Sequence, residues 1–336
     1  MKKGKRILAS LLAALLVMGM LSACGSKKGG NTGKGDSEEG KKIMFINVMR
    51  SLEYFQNIEA EVKKTAEEKG YTVESLDVNC DYELTAEYIT QAVQQQYDAV
   101  MICGDESLIS SAEEAMDAGL AVVNYDAWIG SDNLSACVAS DNKAMGMQMG
   151  EYAVELLKEK YGEVKGTVLY MNYTYSTIAD RAEGFVSAFK DYPDVKLVEV
   201  IPTDPDSIDE SATSAENTLT AYPENTIDIF FGPNSGTALG ILSATESAKR
   251  TDVKVLGIDD EEGQISALQD ADSEYYATIA QDPFAIGKSC VDCLEEIFAG
   301  KKGMKISVDS VLVTKENVAE YIANREETLK ELKDWK

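Results

Sequence analysis

The residues of this sequence best suited to bind a small molecule are polar side chains that follow short apolar runs. Asp126 follows AVVNY, Asp259 follows VKVLGI, Gln281 follows YYATIA, and Asn234 comes two residues after DIFFG. Carboxylate and amide groups, like the guanidinium group of Arg181, are planar and can each engage two neighbouring hydroxyl groups. This set of side chains is therefore suited to holding a polyhydroxylated molecule.

Each of these residues also has a simpler interpretation. Asp126 or Asp259 could cap the segment that follows it, and Arg181 could pair with an acid on its own helix. The neighbouring aromatic residues Tyr54 and Phe55 could belong to the core. For each of these residues taken alone, we favour the simpler interpretation. Because the residues occur together, at matching positions in two parts of the chain, we favour a binding site for the set.

Catalysis is a weaker alternative. The sequence has no histidine, which excludes Ser-His-Asp and Cys-His mechanisms. Asp126 and Asp259 could in principle hydrolyse a glycoside, which requires carboxylates roughly 5 to 10 Å apart. Cys290 and Cys293 form a CxxC pattern, but apolar residues around them recur at helical spacing and no second ligand pair exists. We expect core packing there, and neither a metal nor a cofactor.

The elements that position these residues alternate along the chain. A helix is predicted with Tyr54, Phe55, Ile58, Val62 and Ala66 on one face. Helix-compatible stretches of ten or more residues separate most of the β-branched runs, an order that predicts parallel sheets covered by helices and an α/β fold. The runs are IMFINV, YTVESLDV, AVMIC, AVVNYD, TVLYMN, KLVEVI, DIFFG, VKVLGID and YYATIA.

An internal repeat indicates two similar lobes. The stretches 98–126 and 228–259 both read strand, glycine-containing turn, helix and strand, and each ends in an aspartate. Ligands of open parallel sheets bind outside the carboxyl ends of the strands, which is where Asp126 and Asp259 are predicted.

The N-terminus predicts export. Residues 1–23 combine Lys2, Lys3, Lys5 and Arg6 with the apolar run ILASLLAALLVMGML, which is typical of a secretory signal peptide. The boundary LSAC resembles a bacterial lipobox, in which Cys24 would be lipidated after cleavage. Residues 24–42 lack a run of apolar residues that could pack in a core. They are therefore predicted to form a flexible tether. The alternative is an ordinary secretory peptide with a chance cysteine.

Net charge and cysteine content exclude other classes. The formal charge of −26 becomes −30 without the four signal-peptide cations, so binding to nucleic acid or to anionic lipid surfaces is not expected, and membrane contact is expected only through the anchor. The remaining cysteines are an odd set that does not suggest a disulfide framework, and their redox state stays open. They are Cys80, Cys103, Cys137, Cys290 and Cys293.

Four segments in this order resemble type I periplasmic substrate-binding proteins of the ribose/galactose-binding group, the lipoprotein components of ABC importers. They are SLEYFQNIEAEVKKTA, ASDNKAMGMQMGEY, IADRAEGFVSAF, and VLGIDDEEGQISAL followed by ATIAQDPFAIG. The resemblance implies two Rossmann-like lobes with parallel sheets, joined by a three-strand hinge and closing on a ligand. The lobes would comprise 43–140 plus 281–308, and 141–280 plus 309–336.

The same resemblance implies roles for individual residues. Tyr54 and Phe55 would lie against a sugar ring, Asp126 and Asp259 would accept from its hydroxyls, and Arg181 would donate from the second lobe. Asn234 and the hinge-side amide Gln281 would complete the set. Asp105 and Trp128 stand where this sequence departs from ribose-type relatives, so we include them as candidate ligand contacts and leave the sugar unidentified.

The resemblance also implies a function and a location. We expect a monomer on the outer face of the cytoplasmic membrane, anchored through Cys24, that passes a small neutral sugar or polyol to an ABC permease. A protein that reports its ligand to a membrane sensor kinase is the alternative, because both partners would contact the rim of the closed lobes.

Overall fold

The computed structural model describes residues 40–174 and 176–335, which fold into two sheets of six strands each, covered by helices. The strands are β1 (Lys42–Asn47), β2 (Thr72–Asp77), β3 (Ala99–Ile102), β4 (Ala121–Tyr125), β5 (Ala136–Ser140), β6 (Gly166–Met171), β7 (Val195–Val200), β8 (Ile229–Gly232), β9 (Lys254–Ile258), β10 (Tyr275–Ala280), β11 (Met304–Val308) and β12 (Val311–Thr314). The predicted α/β fold class is confirmed.

Helices connect most consecutive strands. They are α1 (Glu53–Glu68), α2 (Tyr82–Gln94), α3 (Ile109–Asp117), α4 (Asn142–Tyr161), α5 (Ser176–Ser187), α6 (Ile208–Ala221), α7 (Ser235–Ser247), α8 (Glu262–Gln269), α9 (Pro283–Phe298) and α10 (Val318–Glu331), and a short 3-10 turn spans Glu106–Leu108. The apolar face predicted for the first helix is present in α1, where Ile58, Val62 and Ala66 are fully buried.

The two sheets have the same strand order. The first runs β2-β1-β3-β4-β5-β11 and is parallel throughout, whereas the second runs β7-β6-β8-β9-β10-β12 and is parallel except for β12, which is antiparallel to β10. The chain therefore passes between the sheets three times: after β5, after β10, and between β11 and β12. We take these passages as the hinge between the two lobes.

The repeat predicted from sequence occupies equivalent places in the two sheets. Asp98 and Asp228 precede β3 and β8, and each carboxylate accepts from the backbone N–H of a neighbouring strand, Lys42 in one lobe and Thr167 in the other, at 2.8 Å in both cases. Lys42, which the sequence placed in the tether, is in fact the first residue of β1. The contact with Asp98 explains this difference, because it holds the start of the strand without apolar burial.

The CxxC pair lies in α9, inside the core of the first lobe. Cys290 and Cys293 are both buried and not bonded to each other, and burial raises the pKa of both thiols. A buried, protonated thiol behaves as a small apolar side chain. The five cysteines from Cys80 onward are all free, one of them exposed and four buried.

Helix α5, which contains Arg181, packs closely against α4 through glycines. A Cβ atom at Gly146 would lie 1.9 Å from the carbonyl oxygen of Arg181, and one at Gly184 would lie 2.0 Å from the carbonyl oxygen of Lys143. Both contacts are with backbone, which cannot move aside as a side chain can. The position of α5 therefore depends on the absence of side chains at this crossing.

We expect Gly146→Ala to destabilise the protein by about 1 to 3 kcal/mol, the usual range for overpacking. Because α5 must move away from α4, Arg181 should move with it. Urea unfolding gives the free energy, and Gly263→Ala is the control. That glycine also lies in a helix, but its added Cβ would meet only the side chain of Leu239, at 3.2 Å. Equal stability of the two variants would contradict this account of the crossing.

No helix in the described ranges is long and apolar enough to cross a membrane. The predicted signal peptide over 1–23, the lipidation site Cys24 and most of the predicted tether lie outside those ranges.

Candidate ligand-binding cleft

A cleft of about 600 Å³ lies at the carboxyl ends of the strands, between the two sheets. It contains seven of the nine residues predicted to bind ligand. They are Tyr54, Phe55, Asp126, Arg181, Asn234, Asp259 and Gln281.

Hydrogen bonds connect the two aspartates of the cleft across the hinge. The hydroxyl of Tyr54 donates to Oδ1 of Asp126 at 2.7 Å and to Oε1 of Gln281 at 3.4 Å. Nε2 of Gln281 donates to Oδ1 of Asp259 at 3.0 Å. Because Asp126 follows β4, Asp259 follows β9, and Gln281 directly follows β10, this network joins groups from both sheets through the hinge-side amide.

The backbone directs both aspartates in the same way. Asp126 has φ +65° and Asp259 has φ +78°, values in the left-handed region that non-glycine residues seldom adopt. In each case the N–H donates at 2.9 Å to a carbonyl of the next strand, Val138 in β5 and Ile279 in β10. Such strained residues concentrate at functional sites. The internal repeat thus produces two equivalent strand-end carboxylates.

Arg181 is nearly inaccessible to solvent, at 6 % exposure, and the surrounding groups fix its guanidinium. Nε donates to Oδ1 of Asn142 at 2.9 Å, and Nη1 donates to the carbonyl of Pro233 at 3.0 Å and to Oδ1 of Asp259 at 3.5 Å. Nη2 has no hydrogen-bond partner in the part of the chain that the structure describes. It therefore remains available to donate to a ligand.

The N-terminus of α7 supplies further polar groups. Asn234 caps the helix by accepting from the N–H of Thr237, while its amide nitrogen donates to Oδ1 of Asp206 at 2.9 Å. The N–H of Ser235 donates to Oδ2 of Asp259 at 3.1 Å. Asn234 thus both caps its helix and lines the cleft.

The aromatic pair forms one wall of the cleft. The rings of Tyr54 and Phe55 meet edge to face, with centroids 5.1 Å apart. Burial, and then the charge and hydrogen bond of Asp126, raise the pKa of Tyr54 well above its usual value. The hydroxyl therefore stays protonated and donates, and the rings offer apolar surface for the C–H face of a ligand.

The cleft is strongly acidic. Among its described lining residues only Arg181 is basic, whereas five are acidic: Asp126, Asp206, Asp259, Asp260 and Glu261. Burial raises the pKa of the Asp126 carboxyl, although the Tyr54 hydrogen bond and the Arg181 charge lower it. Burial also raises the pKa of Asp206. Both shifts mean that this environment already disfavours negative charge.

Two predicted contacts lie outside the cleft. Asp105 is exposed and caps the 3-10 turn by accepting from the N–H of Ser107 at 2.9 Å, which is the capping role common for aspartate at such positions. Trp128 points into an adjoining cavity. Arg50, in the loop after β1, also lies outside the cleft and pairs with Glu59 at 2.9 Å.

Sequence reasoning missed several cleft residues. Asn142 follows the first passage between the sheets, and Asp206 lies in the loop after β7. The rule that polar residues after strands mark a ligand site could have found both of them. The apolar residues Met49, Leu52 and Ile178 gave no such signal. In the described ranges, no group of three or more Cys, Asp or Glu side chains is arranged to hold a metal ion.

Comparison with known proteins gives one family. A family model described as a periplasmic binding protein domain matches residues 43–302. The chain is 29% identical over 310 residues to the ribose import binding protein of Bacillus subtilis (strain 168), covering 91% of this chain and 96% of that protein. It is 30% identical over 222 residues to the D-apiose import binding protein of Actinobacillus succinogenes, covering 65% and 69%.

A solved structure with a similar fold is also a solute-binding protein. An ABC transporter solute-binding protein of Mycobacterium smegmatis, solved with bound glycerol, superimposes with a TM-score of 0.69 at 25% identity. The match covers 84% of this chain and 96% of that chain.

Proposed function

Because this chain belongs to the periplasmic binding protein family, we propose that it captures a neutral monosaccharide or sugar-like molecule between its lobes and delivers it to an ABC importer. The family consists of solute-binding proteins that serve transporters and not of enzymes, so the glycoside-processing alternative is wrong. The family also indicates an extracytoplasmic location.

The observation that supports this proposal best is the polar network from Asp126 through Tyr54 and Gln281 to Asp259. Carboxylates accept from hydroxyls, the Arg181 guanidinium donates to them, and the Tyr54 and Phe55 rings cover apolar C–H surface. A sugar has all three kinds of surface. The relatives named for ribose and D-apiose, and the neighbour with bound glycerol, are consistent with such a ligand.

A thermal-shift screen of neutral monosaccharides and polyols tests this function. A ligand at 100 times its dissociation constant should stabilise the protein by about 2.7 kcal/mol. The same ligand should reduce the radius of gyration in small-angle scattering, because it bridges groups on both lobes. The absence of any stabilising sugar would reject the proposed ligand class, and stabilisation without compaction would reject closure of the lobes.

We further propose that the protein acts as a monomer, that an ABC permease is its partner, and that a lipid on Cys24 anchors it. Replacing Cys24 with alanine should prevent lipidation, so the protein should be released or remain as an uncleaved precursor. Membrane fractionation and intact mass measure this, with Cys80→Ala as the control because that exposed cysteine lies in the folded part. Unchanged fractionation and mass in the Cys24 variant would exclude the anchor.

A further inference from the structure

A second cavity, of about 440 Å³, adjoins the ligand cleft. Asp126 and Asn142 line both spaces, so the two cavities meet at these residues. The rest of the second cavity is formed by Trp128, by residues of β5 and β11, by the first turn of α4, and by Asp180 and Glu183 of α5. Each cavity falls in the range of about 300 to 1,000 Å³ that is usual for small-molecule sites.

Trp128 gives this second cavity an aromatic wall. Its side chain is among the few large apolar groups exposed in the described residues, at 40 %. Nζ of Lys305 lies 4.2 Å from the centre of the ring and also pairs with Asp132. Both Lys305 and Asp132 are mostly exposed, so this cation can move without disturbing the core. An indole held beside a polar cavity suits the C–H face of a sugar ring.

Ser140 provides an independent indication that a ligand belongs here. It lines the second cavity at the end of β5 and is only 6 % exposed, yet its hydroxyl has no hydrogen-bond partner in the described ranges. Buried hydroxyls normally have a partner, and one left without a partner calls for an explanation such as a missing ligand group. A hydroxyl group of a ligand would supply the missing hydrogen bond once the Ser140 side chain, whose oxygen is buried here, rotates toward the cavity.

Three of the charged groups that line this cavity have partners. Lys143 is paired with Glu183 at the exposed rim, and Asp141 caps α4 by accepting from the N–H of Ala144. Four acidic and two basic residues line the cavity, so it offers no excess of positive charge to an anionic ligand. Its distinctive features are an aromatic face and an unpaired hydroxyl.

We propose that this cavity is a subsite for the second sugar unit of a neutral disaccharide, whose first unit occupies the cleft. The proposal rests on the proposed function and extends it from one sugar unit to two. The second ring would lie against Trp128, and one of its hydroxyls would bond to Ser140. Lys305 would move off the indole as the ring enters.

Calorimetry with matched pairs of sugars tests the subsite. The probes are D-xylose with xylobiose, D-glucose with cellobiose and maltose, and D-galactose with β-1,4-galactobiose. At least one disaccharide should bind about tenfold more tightly than its own monosaccharide, the scale of one good aromatic contact. Trp128→Ala should remove that gain, Trp128→Phe should keep part of it, and the affinity for the monosaccharide should change less than about twofold.

Tryptophan fluorescence gives a second measurement. The chain has two tryptophans, Trp128 and Trp335, so Trp335→Phe leaves Trp128 as the only indole. The emission of this variant should shift further with the disaccharide than with its monosaccharide, which alters the cavity only through closure of the lobes. Trp335→Ala serves as the matched control for loss of a tryptophan, and its sugar affinities should equal those of the unchanged protein.

The outcomes separate the subsite from the proposed function. Binding of monosaccharides without tighter binding of any disaccharide would overturn the subsite and leave the function standing. Equal losses for both sugars in Trp128→Ala, or equal emission shifts with both sugars, would also overturn the subsite. If no probe binds although another sugar of the thermal-shift screen does, the subsite fails alone; if no sugar or polyol of that screen binds, the proposed function fails as well.

Discussion

Replacing Arg181 with alanine is expected to weaken sugar binding by about 1.5 to 3 kcal/mol, the scale of hydrogen bonds to charged groups. This corresponds to roughly a 10- to 150-fold rise in the dissociation constant. Partners fix the guanidinium at Nε and Nη1 and leave Nη2 available to the ligand. The variant therefore loses a donor that is already oriented before the ligand arrives.

Arg50→Ala is the matched control for this experiment. Both arginines pair with a carboxylate, but Arg50 pairs with Glu59 outside the cleft. Calorimetry should show the affinity of the Arg50 variant within about twofold of the unchanged protein, which is less than 0.5 kcal/mol. A thermal melt without ligand tests whether the Arg181 variant is folded. Wild-type affinity in a folded Arg181 variant would show that we have misassigned the donor.

Asp259→Ala should weaken binding by a similar amount, about 1.5 to 3 kcal/mol. Its carboxylate accepts from Ser235, Gln281 and Arg181, so its removal frees three donors as well as deleting an acceptor. Asp259→Asn should lose less than Asp259→Ala, because the amide keeps one oxygen acceptor.

The sequence was sufficient to predict most of the fold, because short β-branched runs separated by helical stretches identify the strands of parallel sheets. All nine runs that we identified form strands in the structure. The strands β5, β11 and β12 were not identified as runs; β5 reads ACVAS, which is short and rich in small residues. These three strands lie next to the hinge, where pairing with neighbouring strands, more than local propensity, decides the structure.

The sequence predicted the cleft residues less completely, and the reason is geometric. Asp126 and Asp259 were identifiable because strand ends mark ligand sites in parallel sheets. Asp105 also follows a strand, β3, but there the backbone turns into a 3-10 turn that uses its carboxylate as a cap. Spacing along the chain does not determine which strand-end side chain points into the cleft.

Trp128 illustrates the same limit. It lies two residues after Asp126, which lines both cavities, yet Trp128 lines only the second one. The left-handed conformation of Asp126 turns the chain at this point, so neighbouring side chains diverge. A positive φ at an aspartate depends on contacts with the next strand, here Val138, which the local sequence does not specify.

A phosphorylated or carboxylated form of the ligand is expected to bind at least about 100-fold more weakly than the neutral sugar, or about 2.7 kcal/mol. Of the five acidic residues that line the cleft, Asp259 pairs with Arg181 and Asp260 pairs with Arg325, which leaves three further carboxylates facing the ligand. Two like charges about 6 Å apart repel by roughly 3 kcal/mol at an effective dielectric constant near 20. A neutral sugar avoids this cost while donating its hydroxyls to the same carboxylates.

The measurement compares the best neutral sugar with its own phosphate by calorimetry at neutral pH. An Asp206→Asn, Glu261→Gln double variant tests the cause, because it removes two negative charges from the cleft wall and retains hydrogen-bonding side chains of similar size. In this variant the sugar phosphate should gain affinity relative to the neutral sugar, by about tenfold if half of the repulsion is removed. If the unchanged protein binds the phosphate tightly, or if the double variant leaves the ratio unchanged, the acidic residues do not select against anions, and charge repulsion cannot be the basis of specificity in this cleft.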